Sequence, residues 1–263
     1  MRSDHGATLG PMHEHHDHTR PEPEWREIST HVPGLHWDPG RIPAWLRQTS
    51  GEPRWPVTLG VLLAIALQLA LPDRYALRPR YLLPVAEVLL LAGLIAANPV
   101  RFQREHPAIR WASIGLTLLV GGANFGSIAR LVNQILHHQT VNSPTDYAQT
   151  LLGSGIAIWI TNVLAFALVY WQFDRGGPFS RAQARKPYPD FLFPQMTDPS
   201  KAHEDWEPGF VDYAYLSFTN STAFSPTDTL PMSSWAKLMM MTQSAVSLIT
   251  VALVAARAVN VLP

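Results

Sequence analysis

Five stretches of this chain are apolar over roughly the thickness of a bilayer, and no other feature limits the fold so strongly. They are residues 57–71 (VTLGVLLAIALQLAL), 81–97 (YLLPVAEVLLLAGLIAA), 111–136, 148–171 and 235–262, each with few charges. A hydrocarbon core about 30 Å thick is crossed by about 20 helical residues. The last three stretches meet that length, and the first does so once Trp55 and Pro56 join it. A soluble helical bundle does not use five such segments in one chain. The pattern predicts an all-α, polytopic helical membrane protein, multi-pass in a cell inner membrane and in contact with the lipid bilayer.

The apolar pattern also divides the chain. Residues 1–54 are rich in Pro, His, Glu and Arg with no apolar period, and read as a disordered tail without a secretory signal pattern. Within it, Ile42–Leu46 is expected to lie at the membrane interface, with Trp37, Trp45 and Trp55 at headgroup level. Residues 55–136 form a three-helix region. Residues 137–263 supply an outer helix, a polar loop, a short half-helix and a final span.

Charge and cysteine content exclude several functions. Twenty basic and twenty acidic side chains leave no formal charge, whereas nucleic-acid binding needs a basic excess. With no Cys there is neither a disulfide framework nor a thiolate metal site. Basic residues in short loops set orientation. Ten fall on the side of the tail, the second loop and the 173–209 loop, against four on the other. That bias puts the N-terminus and the 173–209 loop in the cytoplasm.

Ionisable and amide side chains inside spans mark pairing or functional positions. Glu87 and Arg130 lie at a similar depth, about 9 Å from the same membrane face at 1.5 Å per residue, and are expected to pair, fixing helix register or relaying protons. Asn162 and Gln243 also share a depth and are expected to hydrogen-bond between helices. Gly122 and Gly126 in GGANFGS are expected to admit a neighbouring helix.

In the tail, HEHHDH at 13–18 offers His13, His15, His16 and His18 to a divalent metal. Such a segment lacks the fixed geometry of a defined centre, so adventitious metal affinity is expected and no cofactor. No helix-borne zinc-protease motif, nucleophile elbow or phosphate-cradling loop occurs, and no enzyme activity is expected.

The segment from Tyr213 to Val259 contains SFTNSTAFSPTDTLP at 217–231, followed by the last apolar helix. It resembles the pore module of two-helix potassium channels, in which a pore helix and filter precede an inner helix. Ser217, Phe218, Thr219 and Thr222 fall on pore-helix positions, Asp228 and Pro231 on the residues that close the filter, and Ala256-Arg257 near the inner helix's far end. Where that family has Gly-Tyr-Gly, this chain has Ser225-Pro226-Thr227. Filter carbonyls replace the ion's water shell only in a loop that glycine permits, and Pro226 fixes its own φ near −65°. The resemblance therefore implies a pore loop that is not potassium-selective, with Thr222, Ser225, Thr227, Asp228 and Thr229 as its polar candidates. A channel-type loop of this kind enters from outside, opposite to the basic-residue count.

The chain also resembles a bacterial multipass membrane protein family of unknown function over about residues 75–263. That likeness rests on the same SFT segment and on the junction Tyr170-Trp171-Gln172-Phe173-Asp174-Arg175-Gly176-Gly177. Two readings of function follow. One is a channel-like, oligomeric membrane protein with a degenerate pore loop. The other is a non-conducting structural or regulatory subunit that binds a partner through its tail or the 173–209 loop.

Overall fold

A computed structural model of the chain describes residues 42–97, 106–137, 144–222 and 228–261. The apolar stretches form helices within a few residues of their sequence limits. They are α1 (Trp55–Ala70), α2 (Leu82–Ala97), α3 (Pro107–His137), α4 (Pro144–Phe173) and, after the polar loop, a long C-terminal helix, Ser234–Val261. Pro56 sits in the first turn of α1, where its missing N–H leaves no intrahelical bond unmade. Leu71, the residue before Pro72, is extended and ends that helix.

Between α4 and the last helix lie α5 (Pro178–Ala182), the two-residue strand β1 (Phe191–Leu192), α6 (Pro194–Thr197), α7 (Phe210–Thr222) and β2 (Leu230–Pro231). The long C-terminal helix is then α8. α4 is the hub of the bundle, packing against α1, α3, α7 and α8, and α2 packs on α3 and α1. The buried residues of α1, Val57, Gly60, Val61, Ala64, Ile65 and Gln68, form one helical stripe. Leu59, Leu62 and Leu63 on its other side are exposed, as are Leu248, Ile249 and Val251 of α8. Helices that are apolar all round suit a lipid surround. α3, residues 146–176 and residues 234–260 are long and apolar enough to cross a membrane, while α1 and α2 are shorter apolar helices.

Contacts between helix ends define two ends of the bundle. At one, Arg110 of α3 donates to the Gly176 carbonyl at 2.9 Å, and Phe173 meets Trp235 edge-on at 6.3 Å. At the other, the guanidinium of Arg130 donates to the Ala76 carbonyl, and Arg257 lies over the Tyr147 ring at 5.8 Å. α7 starts at the first end and runs into the bundle, where Ser217 Oγ donates to the Val163 carbonyl at 2.6 Å. The chain is back at the first end at β2. There Leu230 and Pro231 pair antiparallel with Leu192 and Phe191, and Met232 N donates to the Asp190 carbonyl at 2.8 Å.

Three expectations are corrected. Ala44–Leu46, expected in a disordered tail, is a buried 3-10 turn in the main apolar core, so the fold begins before residue 55; Trp37 lies outside the described residues. Glu87 does not pair with Arg130; it accepts from Gln68 Nε2 at 3.3 Å, across the α1–α2 contact. Gly126 faces the Leu77 side chain in the α1–α2 loop, not a helix, and Gly122 has open space beside it. The close helix approaches occur elsewhere: at Gly155 against Val254 and at Gly60 against Phe210.

Candidate functional site

The junction Asp174-Arg175-Gly176-Gly177 turns the chain sharply off the end of α4. Arg175 takes a left-handed conformation at φ 52°, and the two glycines follow at φ 81° and 96°. A Cβ on Gly177 would sit 2.9 Å from the Gln172 carbonyl oxygen, so only glycine fits there without strain. The Arg175 backbone N–H donates to Asp190 Oδ2 at 2.9 Å, and its side-chain Nε donates to the Lys186 carbonyl at 2.7 Å. A left-handed residue other than glycine costs about 1–3 kcal/mol and persists only when its surroundings over-determine it.

Those surroundings are a buried cluster of charged and aromatic groups. Asp174 accepts from the Asp190 backbone N–H and from the Tyr213 hydroxyl. Asp190 Oδ1 accepts from Trp235 Nε1 at 2.8 Å, which ties the start of α8 to the same turn. Arg181 Nη1 donates to the Trp171 and Asp174 carbonyls, and Nη2 pairs with Glu52 Oε1 at 3.3 Å. Glu52 Oε1 also accepts from Trp171 Nε1, and Oε2 accepts from the Phe210 backbone N–H at 2.8 Å. The cluster thus fixes the chain before α1, the end of α4, α5 and the start of α7 to one another. Burial pushes the Glu52 carboxyl up to about 7, against the pull of Arg181 and the Trp171 and Phe210 donors.

Deeper in the bundle a single amide organises α7. Gln243 Oε1 accepts from the Tyr170 hydroxyl at 2.6 Å and from Asn220 Nδ2 at 2.9 Å. Its Nε2 donates to the Ser217 carbonyl at 2.9 Å and lies 2.6 and 2.7 Å from the Ser217 and Ser221 hydroxyls. Asn162 is not its direct partner. Instead Asn124 Nδ2 donates to Asn162 Oδ1, and Asn162 Nδ2 donates to Ser247 Oγ, both at 3.0 Å, which joins α3, α4 and α8. Ser247, the partner of Asn162, lies one helical turn beyond Gln243, so each of the two amides expected to bond finds a different partner.

Of the pore-loop candidates, Thr222 bonds its hydroxyl back to the Thr219 carbonyl at 2.9 Å and closes α7. Asp228 is exposed and Thr229 is buried at 1% exposure. Ser225 and Thr227 lie outside the described residues, as do His13, His15, His16 and His18. Among the described residues no group of three or more His, Asp or Glu has the arrangement of a metal site.

Sequence reasoning missed Glu52, Arg181, Asp190 and Tyr213 as one cluster. Glu52 stands in a Pro-rich segment without apolar period, and its partners lie more than a hundred residues away. The one usable signal was the Asp-Arg-Gly-Gly junction, where charge follows directly on an apolar helix. Comparison with protein-family models, with curated proteins and with solved structures gave no match.

Proposed function

We propose that this chain is a channel-like integral membrane protein, multi-pass in a bacterial inner membrane. In this reading α1, α2, α3, α4 and α8 are the spans, and α7 with its return to β2 is a re-entrant half-helix and pore loop. The observation that carries it is the course of α7: the chain enters between α4 and α8 at one end of the bundle, reaches the level of Val163 and Gln243, and comes back to the same end. Tyr215 and Phe218 of α7 and Met241 of α8 are exposed, so the path lies between copies in a homo-oligomer that seats these residues. Ser225-Pro226-Thr227 in place of Gly-Tyr-Gly makes the conductance non-selective for potassium. The basic-residue count favours a cytoplasmic mouth, whereas the channel resemblance needs an outer one. A Cys at Ala202 that reacts with an impermeant maleimide in intact cells supports the channel-type orientation, and reaction only after lysis counts against a pore.

The test is flux through the purified protein in liposomes. Potassium and sodium should pass at similar rates, and Asp228→Asn should change the rate. No flux above empty liposomes, with insertion verified, would sink this reading.

A second reading, a non-conducting subunit, is favoured by a groove of about 670 Å³ between residues 44–56 and 205–212 at the same end. Arg47, Asp205, Glu207 and Asp212 line it beside the exposed Val211, which suits a partner segment of mixed charge. If a partner sits there, Val211→Glu should release a protein that co-purifies from native membranes. Unchanged co-purification would count against this reading.

A further inference from the structure

The charged cluster holds more buried donors than the acceptors around them receive. Arg175 is 1% exposed, and neither Nη1 nor Nη2 has a hydrogen-bond partner among the described residues. Trp45, 8% exposed, leaves its indole Nε1–H unpartnered as well, and the Arg175 guanidinium carbon lies 5.9 Å from its ring centre. Both residues line one small cavity together with Glu52, Arg181, Glu207 and two prolines.

The nearby carboxylates are engaged by other donors. Glu52 takes hydrogens from Trp171, Arg181 and the Phe210 amide. Asp174 takes them from Tyr213 and the Asp190 amide, and Asp190 from Trp235 and the Arg175 amide. Glu207 Oε2 accepts from the Thr49 hydroxyl at 2.8 Å. None of them receives an Nη hydrogen of Arg175.

A buried group is normally satisfied by a partner, and the three unsatisfied groups here are all donors, two of them on a cation. A water would accept from them but would bring two hydrogens of its own. An acceptor that donates nothing and carries negative charge matches the set better, through charge-assisted hydrogen bonds. The cavity measures about 10 Å³, about the room one water-sized particle needs. So small a space leaves no room for a phosphate or an organic acid.

We propose that Arg175 and Trp45 form a buried site for a small monatomic anion of the halide class, at the end of the bundle where α4, α5 and α7 meet. The anion completes the hydrogen bonding of the strained Arg175 turn and acts as a structural ligand of the folded state. This site does not depend on whether the protein conducts.

Full-length protein in detergent, with sodium gluconate replaced stepwise by sodium chloride at constant ionic strength, supplies the test. A ligand that binds only the folded state raises the melting temperature with concentration. The wild-type melting temperature should rise on replacing gluconate with chloride. Trp45→Phe keeps an aromatic ring but removes the N–H donor. It should raise the chloride concentration needed for a given shift by at least about fivefold. Arg175→Met should abolish the response. If that variant does not fold, Trp45→Phe decides alone. A wild-type melting temperature indifferent to chloride would mean that water suffices in the cavity and would overturn the proposal. So would a Trp45→Phe protein that responds at the wild-type concentrations, since the ion would then bind elsewhere.

Discussion

Tyr213 donates its hydroxyl hydrogen to Asp174 Oδ2 at 2.5 Å, joining the first turn of α7 to the residue that follows α4. Both side chains are fully buried, and among the described residues Asp174 has only the Asp190 amide as a further donor to its carboxylate. Removing the hydroxyl leaves a carboxylate oxygen short of a partner where water does not reach. Tyr213→Phe should cost about 1–3 kcal/mol of stability, read as a lower melting temperature in detergent. A change below about 0.5 kcal/mol, the range of an ordinary surface substitution, would show that the bond does not hold α7 in place.

The raised pKa of Glu52 gives stability a pH dependence of defined sign. An acid whose folded pKa rises from 4.5 to about 7 holds its proton in the folded chain over a range where the unfolded chain has released it. Its contribution is fully present below about pH 4.5 and is lost as pH rises through 7. At about 1.4 kcal/mol per pKa unit the whole effect is roughly 3 kcal/mol. Glu52→Gln cannot ionise, so the melting temperature of wild type relative to this variant should fall between pH 5 and 7.5. A difference that stays flat with pH would contradict the assignment.

Gln243 binds α7 through its side-chain contacts with Ser217, Asn220 and Ser221. Each interhelical hydrogen bond within a membrane protein contributes about 0.6 kcal/mol on average. Gln243→Leu removes several at once and should destabilise by about 1–3 kcal/mol. Hydrogen exchange should then quicken in residues 210–222 while α1 and α3 keep their protection. Unchanged exchange in α7 would assign its position to apolar packing instead.

Two glycines should respond in opposite directions. Gly177 combines φ 96° with a backbone oxygen 2.9 Å from any added Cβ, and Gly177→Ala should cost about 1–3 kcal/mol. Gly153, in the middle of α4, has nothing within 4 Å of that position. Gly153→Ala should leave stability unchanged or raise it by up to about 1 kcal/mol through helix propensity. Equal effects of the two, measured by thermal melting, would show that the turn after α4 is not the strained element described.

The sequence by itself determined where the helices run. Runs of apolar residues about a bilayer long, ended by prolines and charged loops, locate α1 to α4 and α8 within a few residues. Only the tertiary structure decided who meets whom. Neighbouring residues differ by about 100° around a helix axis, so a partner depends on how each helix is rotated, and packing at Gly60 and Gly155 sets that rotation. Glu87 consequently meets Gln68 and not Arg130, and Gln243 meets α7 and not Asn162. The cluster of Glu52, Asp174, Arg181 and Tyr213 was invisible for the same reason. Its members come from separate segments with no common period, and they share a site only once α4 has been packed on from several sides.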